Sequence, residues 1–162
     1  MLRDGYSNFK FFDALSPVIG DAANGLAITG IAVDRQGYDT VTFVVDIGLC
    51  ESMTTAGSWH VLKLEHYCSV NLAWSEVDPS QMLHSVVGMD GAYSTLAANP
   101  SGIFQSLAHS EAGSTTYFVG YRGNRRLTRV VLSGTLNSGT SINIGVVAVL
   151  GLPSNWPVNS PV

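Results

Sequence analysis

Histidine and cysteine are the residues of this chain best suited to metal binding or acid–base chemistry, and three of them share one predicted strand face. His60, His66 and Cys68 lie at even spacing within SWHVLKLEHYCS, so alternation places them on the same side. With Cys50 they are a conceivable zinc site. However, no C-x-x-C or H-x-x-x-H spacing is present, and the intervening leucines favour one partly buried face. We predict free thiols, no metal ion and no cofactor.

Sequence motifs of catalysis are also missing. The chain contains no G-x-S-x-G nucleophile elbow, no G-x-x-x-x-G-K-[ST] phosphate loop and no H-E-x-x-H pair. His84 and His109 lie in no such motif. We therefore predict no catalytic residues and a protein that is not an enzyme.

Arginine is the other chemically distinctive residue. The chain has eight basic residues, and four lie in GYRGNRRLTRVV: Arg122, Arg125, Arg126 and Arg129. The Gly-Asn pair between the first two predicts a two-residue type II′ hairpin turn, with Arg122 opposite Arg125. Like charges facing each other cost roughly 0.2–1 kcal/mol. Carboxylates of a protein partner would make these arginines favourable, so we predict that all four bind such a partner.

Two alternatives remain for the arginines. They could be solvated tip residues that stack on Tyr121 and Phe118 and keep the hairpin from aggregating. They could also bind nucleic acid, but the net charge is -4 and one basic hairpin makes few phosphate contacts. We expect no nucleic-acid partner.

Strand periodicity predicts the elements that position these residues. In TVTFVVDI, the apolar residues Val41, Phe43, Val45 and Ile47 alternate with their neighbours, which is typical of a half-buried strand. Further strands are predicted at 27–34, 58–67, 115–121, 126–134 and 141–151, with short helical turns at 78–83 and 101–108. The pattern predicts an all-β, antiparallel β-sandwich or jelly-roll-like single domain.

The predicted domain has three parts. Residues 1–25 form an N-terminal arm, 26–151 the β-sandwich with a long loop excursion at 89–113, and 152–162 a Pro-containing C-terminal tail. The arms either fold back or contact a neighbouring molecule. Residues predicted to make such arm contacts are Phe9, Phe11, Phe12 and Trp156.

Composition suggests that part of the surface is covered. Charged residues are 12% of the chain, against about 25% in typical soluble proteins. Val147 and Val149 face away from the core side of the last strand, which predicts self-association. The longest apolar run, 144–152, is far shorter than the roughly 20 residues of a membrane helix. We expect no membrane partner and a soluble protein made in the cytoplasm.

Three segments of this chain resemble a family of tailed-bacteriophage capsid decoration, or cement, proteins. They are AVDRQGYDTVTFVVDIG (32–48), GYRGNRRLTRVVL (120–132) and VVAVLGLPSNWPV (146–158). The resemblance implies β-sandwich or jelly-roll subunits, commonly trimers, on the outer face of the virion head. It implies that this chain, made in the host cytoplasm, stabilises the shell by clamping neighbouring major capsid proteins.

A second function class remains open. The tryptophans at 59, 74 and 156 on a β-rich chain could stack on sugars, as in a carbohydrate-binding module or an adhesin. Core packing or subunit contacts explain them equally well.

Overall fold

The computed structural model describes residues 9–20, 27–51, 59–85, 93–94, 102–107, 115–135 and 141–153. Within these ranges the chain forms twelve strands and one 3₁₀ turn, which confirms the predicted all-β class. In chain order they are β1 (Phe9–Gly20), β2 (Ile28–Thr29), β3 (Val33–Asp34), β4 (Tyr38–Glu51), β5 (Trp59–Cys68), β6 (Ala73–Glu76), the 3₁₀ turn (Pro79–Gln81), β7 (Met82–Ser85), β8 (Tyr93–Ser94), β9 (Ile103–Leu107), β10 (Thr115–Tyr121), β11 (Leu127–Thr135) and β12 (Ser141–Pro153).

The strands form two antiparallel sheets that pack face to face as a sandwich. Sheet A has the order β1-β12-β4-β10-β7-β8, and sheet B has the order β2-β11-β5-β6. In sheet B, β3 pairs with the same strand as β2, and β9 pairs with the same strand as β6. β2 and β3 together therefore act as one interrupted edge strand of sheet B, and β6 and β9 together act as the other.

Strand pairing is nested along the chain. β1 pairs with β12, β2 and β3 pair with β11, β4 pairs with β10, and β5 pairs with β9. The first half of the chain thus runs antiparallel to the second half, as a long hairpin whose successive pairs lie alternately in sheets A and B.

The core lies between the sheets and follows the strand alternation. The predicted inward residues of β4, namely Val41, Phe43, Val45 and Ile47, are at most 3% exposed, which confirms this part of the sequence analysis. Each apolar side chain buried in this way contributes about 1.5–3 kcal/mol. Other strands contribute Leu62, Leu64, Tyr117, Val119, Tyr121, Val130, Leu132, Ile142, Ile144, Val146, Ala148 and Leu150.

The predicted N-terminal arm is wrong for residues 9–20, because they form β1 at the edge of sheet A. Phe12 packs against the core and Ala14 is 1% exposed, so apolar burial holds this segment on β12. Residues 1–8 and 21–25 lie outside the described residues. The predicted C-terminal tail begins later than expected, since residues 152 and 153 still belong to β12. Trp156 and the rest of that tail also lie outside the described residues.

The predicted excursion at 89–113 contains strands. β8 and β9 both lie within it, so the helical turn expected at 101–108 is wrong. Pairing with β5 favours the extended form there. The other predicted turn is confirmed as a 3₁₀ turn, because the Asp78 carboxylate accepts a hydrogen bond from the Ser80 backbone N–H at 2.8 Å.

The predicted arginine hairpin is also wrong. β10 pairs with β4 and β7 in sheet A, whereas β11 pairs with strands of sheet B. Residues 122–126 therefore cross from one sheet to the other, and Arg122 is not a ladder partner of Arg125. Gly123 does not have the positive φ that a type II′ turn requires at its first central residue. Tyr117 and Val119 of β10 and Val130 and Leu132 of β11 all belong to the core between the two sheets.

Replacing Thr128 with valine should stabilise the protein. The Thr128 side chain is fully buried on β11, and its hydroxyl has no hydrogen-bond partner among the described residues. Because an unsatisfied buried polar group costs about 1–3 kcal/mol and valine has nearly the same shape, Thr128→Val should raise the free energy of unfolding by about 1 kcal/mol. Denaturant titration measures this change. Thr128→Ser keeps the hydroxyl and is the control. An equal or lower stability of the valine variant would contradict the prediction.

Candidate interaction surfaces

The crossing segment 122–126 forms one end of the sandwich, which we call the tip, and Arg35 holds it in place. The Arg35 guanidinium donates to three backbone carbonyls, those of Arg125 at 2.7 Å, Gly123 at 2.6 Å and Asp39 at 3.0 Å. The bonds to Arg125 and Gly123 join residues about 90 positions apart in the sequence. Arg35 is thus a positioning residue for the tip. It was not predicted from the sequence, because it lies in a separate turn, far from the arginine-rich segment 122–129.

Tyr121 supports the tip from inside. Its hydroxyl accepts a hydrogen bond from the Arg125 backbone N–H at 3.1 Å and lies 3.0 Å from His66 Nδ1. Its ring lies under the Arg35 guanidinium, 5.1 Å from the ring centroid. A Cβ on Gly123 would overlap this ring, which explains glycine at that position. Burial raises the pKa of Tyr121, so its hydroxyl stays protonated.

Arg126 binds a carboxylate of its own chain. Its guanidinium meets both carboxylate oxygens of Asp34, with Nε donating to Oδ1 at 2.8 Å. This hydrogen bond lowers the pKa of Asp34 and raises the pKa of Arg126. The pair is largely exposed, so its net contribution to stability is small.

Arg129 also has an internal partner, on the outer face of sheet B. Its Nε donates to Glu65 Oε2 at 2.8 Å, and its guanidinium stacks 4.0 Å from the ring centroid of Trp74. The Tyr67 ring meets Trp74 edge-on at 5.6 Å. One face of Trp74 is therefore covered by Arg129, which leaves less of the ring open to a sugar.

Arg122 and Arg125 differ from the other two. No carboxylate of the described residues forms an ion pair with either side chain. The Arg122 side chain is exposed and the Arg125 side chain is half-buried. The Arg122 backbone N–H donates to the Gln81 carbonyl, and the Arg125 backbone N–H donates to the Tyr121 hydroxyl. The four arginines thus separate into two that pair with carboxylates of their own chain, Arg126 and Arg129, and two without such a partner among the described residues, Arg122 and Arg125. Binding of any of the four to a partner stays a prediction.

His66 should make stability depend on pH. Burial, and next the charge of Arg125, lower the pKa of His66 below its usual value near 6.5. As the pH falls through 6.5, the unfolded chain takes up a proton before the folded chain does, so the free energy of unfolding decreases. We expect a smaller decrease between pH 7.5 and 5.5 in His66→Gln, measured by denaturant titration at both values. The other histidines are the same in both proteins, so their contribution to the pH dependence cancels when the two decreases are compared. Equal decreases would contradict the prediction.

The outer face of sheet A is a second candidate surface, and it is apolar. Its exposed side chains include Phe9, Phe11, Val147 and Phe118, the second of them 67% exposed. Val147, Val44 and Phe118 are in register on adjacent strands, and Val149 lies half-buried beside them. Val147 and Val149 thus face away from the core as predicted, while self-association through them stays a prediction.

A groove of about 420 Å³ crosses this face near β1. Its lining residues include the apolar Val44 and Val147 and the acidic Asp13 and Asp46. Neither aspartate was predicted as a site residue, because no linear spacing relates β1 to β4. Alternation along β4 was the one available signal, since it places the Asp46 side chain on the outer face of the strand, away from the buried Val45 and Ile47.

Among the described residues no group of three or more His, Cys, Asp or Glu side chains could hold a metal ion. Cys68 is a buried free thiol. The side chains of Cys50, His60 and His84, and the whole of His109, lie outside the described residues. Within the described ranges, no helix has the length and apolarity needed to span a membrane.

Comparison of the chain with protein-family models, with curated proteins and with solved structures finds no match.

Proposed function

We propose that this protein is a structural capsid decoration protein of a tailed phage. It binds the outer face of the expanded shell as a homo-oligomer, with a trimer as the expected state. It stabilises the shell by clamping neighbouring major capsid proteins. It needs no cofactor and catalyses no reaction.

The observation that carries the proposal is the apolar outer face of sheet A. Four exposed apolar side chains, three of them aromatic, lie on one sheet face: Phe9, Phe11, Phe118 and Val147. Contiguous apolar surface of this kind marks protein interfaces in soluble proteins. Phe9 and Phe11 also belong to an edge strand, which closed assembly would protect from uncontrolled pairing. A subunit interface therefore explains both the apolar face and the low charge of the chain.

The topology supports the jelly-roll form of this proposal. Nested pairing of the first half of the chain with the second, distributed over two sheets, is the arrangement expected of a rolled hairpin. Jelly rolls are common in viral capsid proteins and in lectins. Fold alone does not assign function, so the surfaces must support it.

The tip supplies the polar part of the proposed contact. Arg122 and Arg125 have fixed backbones and no carboxylate partner among the described residues. Guanidinium groups held in this way suit carboxylates of the shell or of a neighbouring subunit. Repetition of modest contacts in an oligomer gives durable attachment through avidity.

Co-sedimentation with capsid shells tests the proposal. Purified chain is mixed with expanded and unexpanded shells assembled from the major capsid protein of the same genome. We expect saturable pelleting with expanded shells and much weaker pelleting with unexpanded ones. Chain that stays in the supernatant with both would contradict the proposal. Glycan-dependent quenching of tryptophan fluorescence would then favour the carbohydrate-binding alternative.

A further inference from the structure

The groove on sheet A results from an irregularity in β1. Asp13 pairs with Val147, but the register of β1 against β12 shifts between Asp13 and Leu15 and again between Leu15 and Val18. The backbone of β1 therefore departs from the ladder and leaves space over β12 and β4. Gly48 and Gly145 line this space and add no side chain to fill it. The groove thus lies where the ladder of β1 against β12 and the ladder of β12 against β4 are both irregular.

The chemistry of the groove suits an arginine side chain. Val44 and Val147 provide apolar walls for the methylene groups of such a side chain. Asp13 and Asp46 each accept one hydroxyl hydrogen bond, from Ser16 at 2.6 Å and from Thr116 at 3.0 Å. A carboxylate has about four acceptor positions, so both aspartates can still bind a guanidinium. No basic side chain of the described residues forms an ion pair with either of them.

The complementary group lies elsewhere on the same chain. Arg122 and Arg125 are the arginines of the tip without a carboxylate partner among the described residues. In the ladder of β10 against β4, Thr116 pairs with Asp46 of the groove. Tyr121, which lies next to the tip, pairs with Val41. Five residues of strand separate the two positions, which is roughly 17 Å. An arginine side chain cannot span that distance, so the tip does not reach its own groove.

We propose that the groove binds the tip of a second copy of this chain, with Arg122 and Arg125 of one copy contacting Asp13 and Asp46 of the next. The tip and the groove are different surfaces, so the contact is heterologous, and such contacts form a closed ring when the rotation between copies permits. The contact would also cover the apolar side chains beside the groove. This inference rests on the proposed oligomer and specifies its interface.

Charge exchange tests the contact. A tip variant carries Arg122→Asp and Arg125→Asp, a groove variant carries Asp13→Arg and Asp46→Arg, and a combined variant carries all four changes. Light scattering coupled to size exclusion, over a range of protein concentrations, gives the mass and the association constant. We expect the tip and groove variants each to associate at least about tenfold more weakly than wild type, and the combined variant to recover most of the loss. Asp39→Asn, an exposed acidic change outside the groove, should leave association unchanged.

Folding is checked separately, by comparing the unfolding midpoint of every variant with that of wild type. If the groove variant does not fold, Asp46→Asn replaces it, because it removes charge without adding bulk. Wild-type association in both the tip and the groove variants would overturn the inference. A wild type that is monomeric at all concentrations would also overturn it. So would a combined variant that associates no more strongly than the tip variant or the groove variant. Shell co-sedimentation is measured independently, so an oligomer or monomer that pellets with shells would keep the proposed function while rejecting this interface.

Discussion

Arg35→Ala is expected to lower the free energy of unfolding by about 3 kcal/mol. The Arg35 guanidinium donates to the backbone carbonyls of Gly123, Arg125 and Asp39, and it lies against the Tyr121 ring. Hydrogen bonds from charged donors contribute about 1.5–3 kcal/mol each, although such contributions do not add fully. Removal of the side chain also leaves partly buried carbonyls without their donor. Denaturant titration of the variant measures the loss.

Two further variants are the controls for Arg35. Lysine at this position has a single ammonium that cannot match the planar guanidinium, so Arg35→Lys should recover only part of the loss. Arg122→Ala removes an exposed arginine of the same tip and should change stability by less than about 0.5 kcal/mol. If Arg35→Ala cost no more than Arg122→Ala, Arg35 would not be the residue that positions the tip.

Gly102→Ala should have a comparably large effect, also about 3 kcal/mol. Gly102 has a φ of 66°, which costs an L-residue roughly 1–2 kcal/mol. A Cβ there would lie 2.8 Å from the Leu64 carbonyl oxygen and 3.0 Å from the Val77 backbone nitrogen. Both atoms belong to a hydrogen-bonded junction, in which the Leu64 N–H donates to the Gly102 carbonyl and the Val77 N–H donates to the Leu64 carbonyl. The junction must shift, and overpacking of this kind costs about 1–3 kcal/mol.

Gly37 is the matched control for Gly102. It also has a positive φ, 85°, but nothing lies within 4 Å of the position of its Cβ. Gly37→Ala should therefore cost only the backbone strain, about 1 kcal/mol. Thermal or denaturant unfolding of both variants separates strain from steric overlap. Equal losses in the two variants would show that the Gly102 junction can relax without cost.

Strand periodicity predicted the all-β class and five of the longer strands, because alternation is a local signal, whereas the single strand predicted at 27–34 is two short strands, β2 and β3. The strands β4, β5, β10, β11 and β12 all lie where this pattern predicted them. It did not predict β1, since the aromatic cluster at Phe9, Phe11 and Phe12 has weaker alternation and depends on pairing with β12. The short strands of the 89–113 excursion were missed for the same reason. Their extended form depends on distant partners.

The arginine hairpin was wrong because turn signals do not specify strand partners. Gly123-Asn124 is compatible with a tight hairpin, but β10 and β11 pair with other strands in separate sheets. Gly123 is needed for the close approach of Tyr121. The predicted carboxylate partners of the arginines were those of another protein. For Arg126 and Arg129, however, Asp34 and Glu65 of the same chain provide them, across 92 and 64 residues of sequence.

The candidate surfaces were predictable only in part. Alternation in β12 placed Val147 and Val149 on the side away from the core, and both lie there. The neighbours of Val147 could not be identified, because Asp13, Val44 and Phe118 come together only through the registers of three strand pairs. A sequence gives the face to which a residue points, whereas the composition of that face depends on sheet order.

The thermal dissociation midpoint of expanded shells, measured with increasing amounts of the chain, tests the central claim most directly. If the protein clamps neighbouring major capsid proteins, the midpoint should rise with occupancy and reach a plateau when the sites are full. The groove variant, added at the same concentrations, is the matched control and should raise the midpoint less. A midpoint that stays unchanged at saturating chain would contradict the account.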